Sequence, residues 1–406
     1  MDQARPGRHN ALIDVPGIRV GHHTVIGDGY LTGTTVVLAP DGGMTAGVDI
    51  RGGGPATHET DLLAPTASVE RIHALVLTGG SAFGLATCTG VMNDLARAGI
   101  GLPVGPAAGE VVPLVPGAAL FDLGRGGDFT ARPTLEFGSL ALQAAQADGS
   151  ESASGPPPAQ AAGQQPGIDI DTRTRAGALQ GSIGAGAGAV VSNLKGGIGT
   201  ASVLLPGVGT VAALVALNAA GSPVDDRAGS LLGAHLLLPA DGTPPEVPDE
   251  AARAALRTAT APRPPRTAFS AEAGTTGDTS PLGHTTLVVV ATDATLSKAQ
   301  CAKMAAVAQN GLARAVNPVH TMFDGDIVFG LATGSADQPD LLGFHQITVA
   351  AADVVTRSIV RAVLAGQHTT TAAGDWPAYV DVINSAGEAP GVDPDGMGTE
   401  RAWRGP

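Results

Sequence analysis

The chain is organised around residues 283–294, GHTTLVVVATDA, in which two threonines precede an apolar run. The run from Leu287 to Ala291 is continuous and rich in β-branched residues, which is typical of a strand buried on both faces. The segment before it, from about 239 to 280, is rich in proline, threonine and small residues and shows little periodicity. A loose connection is therefore predicted to enter a buried strand at Thr285 and Thr286. Taken alone, the two threonines are explained as β-branched residues at a strand start.

The composition predicts an acidic protein with a large core of small aliphatic residues. Of the 406 residues 43% are hydrophobic, only 3% are aromatic and 58 are glycine, so Ala, Val, Leu and Ile must pack closely. A formal net charge of −14 without a basic stripe argues against nucleic-acid and anionic-membrane partners. The N-terminal residues lack a signal-peptide core and the longest apolar runs are too short to span a membrane, which predicts a cytoplasmic protein.

The remaining pattern alternates strands and helices and predicts a single layered α/β body over residues 1–406. Strands are predicted at 72–78, 118–123, 211–217 and 327–332, and helices at 82–98, 134–147, 296–315 and 347–364. Two stretches interrupt this pattern: a Ser-, Pro- and Gln-rich flexible surface insertion at about 149–167, and the loose segment at about 239–280.

A strand–turn–helix unit at residues 72–98 carries Gly79, Gly80 and Ser81 in its turn. Such a turn aims backbone N–H groups and the helix dipole at one point, so Gly80 and Ser81 are candidates for binding an oxyanion or a carboxylate. The alternative is that the glycines only make the turn tight. Ser81 is not predicted to be a triad serine, because the G-x-S-x-G spacing of hydrolase elbows is absent from this turn.

No constellation of His, Cys, Asp or Glu at metal-ligand spacing stands out in the sequence, so we predict neither a metal nor another cofactor. Cys88 and Cys301 are too few for a disulfide framework. Both lie in helical patterns among small apolar residues, which predicts buried thiols without a redox role.

Six separated blocks of the sequence form a combination that is far more specific than any one of them. They are DVPGIRVG (14–21), LTGGSAFGL (77–85), GAG (184–186) with KGGIGTAS (195–202), Asn218, TTLVVVATDA (285–294) and HTMFDGD (320–326). Together, in order and between about residues 11 and 365, they resemble the DmpA-type aminopeptidases. That family also holds β-aminopeptidases and nylon-oligomer (6-aminohexanoate oligomer) hydrolases.

The resemblance implies a four-layer α-β-β-α sandwich of the DmpA/ornithine acetyltransferase type, made as an inactive precursor that cuts itself. The cut would fall between His284 and Thr285, leaving an N-terminal subunit of residues 1–284 and a C-terminal subunit of residues 285–406. Relatives are homo-oligomers, so a homo-oligomer of cleaved heterodimers is expected, with a tetramer as its expected form.

The resemblance also implies a reaction, the hydrolysis of amide bonds through an acyl-enzyme on Thr285. A threonine hydroxyl needs a base close by, and the freed α-amino group of Thr285, with a reference pKa of about 7.7–8.0, can serve. Asn218 would donate to the oxyanion. Asp324 and Asp326 match the acidic pair of the nylon-hydrolase branch and would hold the nucleophile's amine or hydroxyl. If they face the pocket instead, they would pair with a substrate ammonium.

Three positions depart from the family pattern. His284 precedes the cut where relatives often have asparagine, and Phe121 takes the place of a tyrosine of the substrate site and lacks its hydroxyl. The assisting lysine of the nylon-hydrolase branch aligns closer to Asn193 than to Lys195. Either residue can therefore take its place.

The substrate classes implied by the resemblance are short peptides, amino-acid amides, β-peptides and nylon oligomers. Two alternatives stand beside this hypothesis. One is acyl transfer of the ornithine acetyltransferase type, which would produce N-acetylglutamate from acetylornithine and glutamate. The other is a binding or assembly protein that has lost catalysis, which would remain an intact chain of 406 residues.

Overall fold

The computed structural model describes residues 5–148, 178–247, 249–261 and 284–387. The insertion predicted at 149–167 lies outside the described residues, as do residues 262–283. The strands are β1 (Arg19–Gly27), β2 (Tyr30–Leu38), β3 (Thr45–Ile50), β4 (Ala56–His58), β5 (Ala74–Thr78), β6 (Leu102–Pro103), β7 (Val111–Val112), β8 (Gly117–Ala119), β9 (Val190–Val191), β10 (Leu194–Lys195), β11 (Gly197–Leu205), β12 (Gly209–Leu217), β13 (Leu287–Ala294), β14 (Ile327–Ala336), β15 (Thr369–Thr371) and β16 (Gly374–Trp376).

The helices are α1 (Ser81–Gly84), α2 (Ala86–Arg97), α3 (Leu135–Asp148), α4 (Glu250–Thr260), α5 (Lys298–Ala315), α6 (Leu341–Leu364) and α7 (Tyr379–Gly387). The helix predicted at 82–98 is thus divided into α1 and α2 at Leu85. None of the described helices combines the length and the apolar character that a membrane crossing requires.

Ten of the strands form two five-stranded sheets. The first sheet has the order β1-β2-β5-β8-β4 and the second has the order β11-β12-β13-β14-β3. The pairs β5–β8 and β13–β14 are parallel, and the other neighbours are antiparallel. The mixed α/β class predicted from the sequence is confirmed.

Three large apolar cores pack the two sheets against each other and against the helices. The core between the two sheets contains Val37, Leu214 and Val289, among others. A second core joins the second sheet to α5 and α6, and a third joins the first sheet to α2 and α3. Val288 and Val289 are neighbours in β13, yet Val288 belongs to the helix-side core and Val289 to the inter-sheet core. Because successive strand residues point to opposite faces, both faces of β13 are buried, and its first five residues, 287–291, are all apolar, as predicted.

The expectation of a loose segment at about 239–280 is wrong for residues 250–260, which form α4. The Asp249 side chain caps this helix by accepting a hydrogen bond from the Ala252 N–H at 2.9 Å. Ala252 and Leu256 are buried on its inner side. The helix signal is short, an Asp-Glu start followed by alanines, and the surrounding prolines and threonines obscured it.

Strand direction brings several loops to one end of the second sheet. Because β12 is antiparallel to β13 and β13 is parallel to β14, the end of β12 lies beside the starts of β13 and β14. Asn218 follows β12, Thr285 precedes β13, and residues 320–326 precede β14. The segment after β8 of the first sheet reaches the same place, since the Phe121 carbonyl oxygen lies 3.4 Å from Asn218 Nδ2.

Candidate active site

Thr285 lies against the peptide bond that precedes it, and only 4% of its surface is exposed. Its Oγ1 donates to the His284 carbonyl oxygen at 2.7 Å, and its N–H donates to the Asn218 carbonyl oxygen at 2.5 Å. The Gly325 N–H also donates to the His284 oxygen, at 2.9 Å. The carbonyl group at the predicted cut therefore has two hydrogen-bond donors, and one of them is the hydroxyl expected to attack it.

Gly325 permits this close approach. A Cβ at position 325 would lie 2.5 Å from Thr285 Oγ1 and 2.8 Å from the Gly54 carbonyl oxygen, too near for any residue with a side chain. Gly325, between Asp324 and Asp326, therefore does more than form a turn, because the absence of a side chain leaves room for the Thr285 hydroxyl.

Asp324 is 1% exposed and both of its oxygens accept hydrogen bonds. Oδ1 accepts from the Ala220 N–H at 3.2 Å, and Oδ2 accepts from the Thr321 N–H at 3.0 Å and the Thr321 hydroxyl at 2.6 Å. Burial raises the pKa of Asp324, and the neighbouring Asp326 charge raises it further, while these hydrogen bonds act in the opposite direction. Asp324 ties the loop before β14 to the segment after β12.

Asp326, also 1% exposed, holds the residue that follows the nucleophile. Its Oδ1 accepts from the Thr286 N–H at 2.9 Å, and its Oδ2 accepts from the His320 N–H and lies 3.0 Å from His320 Nδ1. In the uncut chain both aspartates are thus engaged inside the protein. This geometry favours a role in holding the nucleophile over a contact with a substrate ammonium.

Asn218 is fully buried and its side-chain amide is held from two sides. Oδ1 accepts from Arg125 Nη1 at 2.6 Å and from the Val190 N–H at 3.0 Å. Nδ2 donates to the Phe121 carbonyl oxygen at 3.4 Å. The structure therefore brings together Thr285, Asn218 and the Phe121 carbonyl oxygen.

Lys195 and Asn193, the two candidates for the assisting lysine, lie in different surroundings. Lys195 is buried, and its Nζ donates to the carbonyl oxygens of Gly186, Ala189 and Gly196 at 3.3, 2.9 and 3.1 Å. Burial lowers the pKa of Lys195 to about 7; the charge of Arg125 lowers it further and that of Asp122 opposes this. Lys195 is the strand partner of Val190, and the Val190 N–H donates to Asn218 Oδ1. Val190 therefore connects Lys195 to the candidate oxyanion donor.

Asn193 points away from this group. Its Nδ2 donates to the Ala261 carbonyl oxygen at 2.8 Å, immediately after α4. The contact satisfies a carbonyl group at a helix end, a structural role.

In the Gly-Gly-Ser turn after β5, all three backbone N–H groups donate hydrogen bonds to acceptors inside the protein. The N–H groups of Gly79, Gly80 and Ser81 donate to the Gly33 carbonyl oxygen, Asp122 Oδ1 and the Leu120 carbonyl oxygen at 2.9, 2.7 and 2.8 Å. The backbone donors that the sequence suggested at Gly80 and Ser81 for an oxyanion or carboxylate are therefore already occupied. In this structure the turn positions Asp122.

Asp122 and Arg125 were missed from the sequence, although both are buried beside the site. Burial raises the pKa of Asp122 to about 6, while the nearby Thr32 hydroxyl, the hydrogen bond from the Gly80 N–H and the charges of Arg125 and Lys195 act in the opposite direction. The available signal was two isolated charges in the glycine-rich run FDLGRGG, residues 121–127. Charged residues between apolar and glycine positions have no periodic pattern that identifies them as buried.

The described residues contain no group of three His, Cys, Asp or Glu side chains that could hold one metal ion. A cavity of about 650 Å³ lies near the start of β12 and the end of β14, lined by Arg5, residues 204–210, Ala336 and Asp337. This is the end of the second sheet opposite Thr285. Cys88 and Cys301 are buried thiols, as predicted, and burial raises the pKa of each to about 12.

Comparison with known proteins identifies relatives over most of the chain. A family model described as peptidase family S58 matches residues 10–376. A protein of Mycobacterium leprae named as an uncharacterized aminopeptidase is 41% identical over 377 residues, covering 88% of this chain and 91% of that protein. A similarly named protein of Mycobacterium bovis is 39% identical over 398 residues, covering 93% of this chain and 99% of that protein.

Two solved structures share the fold. A β-aminopeptidase from Burkholderia sp. is 24% identical with a TM-score of 0.61, covering 96% of this chain and 98% of its own. The L-aminopeptidase D-Ala-esterase/amidase from Ochrobactrum anthropi, described as a variant of the Ntn hydrolase fold, is 20% identical with a TM-score of 0.61, covering 95% and 97%. The chain belongs to peptidase family S58, the DmpA family, and is a hydrolase acting on peptide or amide bonds.

Proposed function

We propose that the chain cuts itself between His284 and Thr285 and then uses Thr285 as an N-terminal nucleophile to hydrolyse amide bonds. One observation carries this proposal. The Thr285 hydroxyl and the Gly325 N–H both contact the oxygen of the His284 carbonyl group, at 2.7 and 2.9 Å. A hydroxyl placed on the carbonyl group of its own peptide bond, with a second donor fixed to that oxygen, is the arrangement that an acyl shift needs.

The cutting step forms a bond from Thr285 Oγ1 to the His284 carbonyl carbon and breaks the bond from that carbon to the Thr285 nitrogen. The hydroxyl proton goes to that nitrogen, which leaves as an amine, and an ester joins the two residues. The Gly325 N–H stabilises the negative charge that develops on the carbonyl oxygen during attack. Water then cleaves the ester and releases the His284 carboxylate and the Thr285 hydroxyl.

The freed amine is the base of the second reaction, on external substrates. In the uncut chain the Thr285 nitrogen already donates to the Asn218 carbonyl oxygen, and Asp326 holds the next residue through the Thr286 N–H. These contacts keep the amine beside its own hydroxyl, where it takes the hydroxyl proton as Oγ1 attacks a substrate carbonyl. An acyl-enzyme on Thr285 follows, and Asn218 Nδ2 donates to the oxyanion.

The proposed substrates are amides with a free amino terminus: short peptides, amino-acid amides, β-peptides and nylon oligomers. The support is the family match, together with the names of relatives, which are aminopeptidases and a β-aminopeptidase. A peptidase family also favours hydrolysis over the acetyl transfer considered from the sequence.

We further propose a four-layer α-β-β-α sandwich in which the two pieces remain interleaved after the cut. The three separate cores support the layers. In the second sheet, β3, β11 and β12 precede the cut and β13 and β14 follow it, so one sheet contains strands of both pieces. The same proposal includes a homo-oligomer of these cleaved pairs, which light scattering of the purified protein measures.

A substrate panel tests the hydrolytic part of the proposal. L-Alanine p-nitroanilide, β-alanine p-nitroanilide and the linear dimer of 6-aminohexanoate are each compared with their N-acetylated forms. Hydrolysis of at least one free-amino substrate, together with loss of that hydrolysis on N-acetylation, is the expected result. Preparations that are fully cut but hydrolyse none of these amides, or that make N-acetylglutamate from acetylornithine and glutamate, would contradict it.

A further inference from the structure

Arg125 is one of two buried arginines among the described residues, and it lies beside the candidate active site. It is 2% exposed, and its Nη1 donates to Asn218 Oδ1 at 2.6 Å and to the Gly188 carbonyl oxygen at 2.7 Å. Burying a guanidinium group is costly, so a buried arginine needs fixed acceptors. One of the acceptors here is the side chain proposed to stabilise the oxyanion.

These contacts settle which way the Asn218 amide faces. The Val190 N–H donates to the same oxygen as Arg125, at 3.0 Å. An amide turned by 180° would place its NH₂ group against two donors, so only one orientation is compatible with both neighbours. The NH₂ group is therefore directed to the other side, where its contact with the Phe121 carbonyl oxygen is long at 3.4 Å.

We propose that Arg125 is a positioning residue that fixes the Asn218 amide so that Nδ2 donates to the oxyanion formed when Thr285 attacks. This inference rests on the proposed function, since it assigns Arg125 to the same reaction. The positive charge on the oxygen side also polarises the amide and makes its N–H groups stronger donors. Arg125 acts through Asn218 and does not itself touch the reacting atoms.

The position of Arg125 in the fold supports this role over a purely structural one. Arg125 comes from the segment after β8 of the first sheet, whereas Asn218 follows β12 of the second. The contact at 2.6 Å therefore fixes the amide across the junction of the two sheets. The backbone up to Leu217, next to Asn218, is held separately by the strand pairing of β12, whereas the contact with Arg125 is made by the Asn218 side chain.

A double-mutant cycle on amide hydrolysis by the cut enzyme tests the inference. The kcat of purified, fully cut protein is measured for wild type, Arg125→Met, Asn218→Ala and the double variant, with an amide of the panel above that wild type hydrolyses. We expect Arg125→Met to lower kcat about tenfold to hundredfold, up to the loss known for a missing oxyanion donor. In the Asn218→Ala background the same change should have almost no further effect.

The controls separate positioning from folding. Arg314→Met removes an exposed arginine of α5, paired with Asp353, and should leave the rate unchanged. If Arg125→Met does not fold, as judged by circular dichroism and melting, Arg125→Lys keeps a buried cation and enters the same cycle. Arg125→Gln, which keeps an N–H donor group at this position, should restore part of the rate lost in Arg125→Met.

Two outcomes overturn the inference. One is an unchanged rate in a folded Arg125 variant. The other is an equal loss with and without the Asn218 side chain, which marks a structural role. Both leave the proposed function standing, because wild type still cleaves; a wild type that never cleaves contradicts the proposed function itself.

Discussion

Two buried polar clusters flank the second sheet, and their charges are arranged in opposite ways. The edge cluster consists of Asn10, Asp241, Arg357 and Arg361. In it, Arg357 Nε lies 2.7 Å from Asp241 Oδ2 and Nη2 lies 2.9 Å from Oδ1, a two-bond ion pair. Burial would raise the pKa of Asp241, but the hydrogen bonds and charge of Arg357 lower it overall. The acid and an arginine are therefore in direct contact in this cluster.

The edge cluster also completes the edge of the sheet. Arg357 Nη1 donates to the Ser202 carbonyl oxygen at 2.8 Å, and the Ser202 N–H donates to Asn10 Oδ1 at 3.0 Å. Ser202 lies in β11, the outermost strand of the second sheet. Side chains thus form hydrogen bonds with backbone N–H and C=O groups of the edge strand that could otherwise pair with a strand of another chain.

The site cluster consists of Asp122, Arg125, Lys195 and Asn218. Here the cations donate to carbonyl and amide oxygens, and burial shifts the acid and the lysine toward neutrality, with pKa values of about 6 for Asp122 and about 7 for Lys195. Losing one partner of a buried ion pair is strongly destabilising because it leaves an uncompensated charge, whereas strongly perturbed pKa values concentrate at functional sites. The contrast indicates that the edge cluster holds the fold and the site cluster serves the reaction.

Breaking the edge cluster should have the largest effect on stability. Arg357→Met leaves Asp241 buried without its main partner, so we expect a loss of about 3–5 kcal/mol in the free energy of unfolding. Arg314→Met breaks the exposed pair with Asp353 and should cost at most about 1 kcal/mol. Urea unfolding of both variants measures the difference. Equal losses would show that the edge cluster is not a special source of stability.

The acids of the two clusters should give different pH dependences. The pKa of Asp122 is raised, so its stabilising contribution is full below about pH 4 and is lost as the pH rises through about 6. The pKa of Asp241 is lowered, so its contribution is present above about pH 4 and is lost as the pH falls through the folded-state pKa.

The measurement compares wild type with Asp122→Asn and Asp241→Asn in urea between pH 3.5 and 7, a range chosen to span the ordinary aspartate pKa of about 3.9. A tenfold change in proton affinity is about 1.4 kcal/mol, so the expected change for Asp122 is on the order of 1–3 kcal/mol. The advantage of wild type over Asp122→Asn should shrink from pH 4 to 7, while its advantage over Asp241→Asn should shrink below pH 4. The same slope for both variants would remove the distinction between the clusters.

Asn193 lies outside both clusters, and its substitution is expected to have the smallest effect on stability and on self-cleavage. Asn193→Ala loses the hydrogen bond to the Ala261 carbonyl oxygen, worth about 0.5–1.5 kcal/mol, and should leave self-cleavage unchanged. Lys195→Met, inside the site cluster, should slow cleavage, and following fragment release in both variants checks this. Slower cleavage in Asn193→Ala than in Lys195→Met would assign the family lysine's place to Asn193.

The elements that the sequence predicted are those with a strong local pattern. The strand after Thr285 was recognisable because both of its faces are buried, and the long helices α5 and α6 because their apolar residues recur at helical spacing. The nucleophile and the Asp324–Asp326 pair came from resemblance, since a Thr-Thr or Asp-Gly-Asp sequence alone is also typical of a strand start or a turn.

The remaining features depend on contacts between segments far apart in sequence. Arg125 meets Asn218, 93 residues away, and Arg357 meets Asn10, 347 residues away. No local pattern encodes such pairs. For the same reason, occupation of the Gly80 N–H by Asp122, 42 residues away, could not be anticipated, and the turn was interpreted as a ligand site.

Intact mass and N-terminal sequencing of purified wild type, Thr285→Ser and Thr285→Ala test the self-cleavage directly. Wild type should separate into two fragments, the second beginning Thr285-Thr286, and Thr285→Ser should do the same because serine keeps the hydroxyl. Thr285→Ala should remain one folded chain of 406 residues. A folded wild type that stays intact, or an alanine variant that is cut at the same bond, would contradict the assignment of Thr285 as the nucleophile.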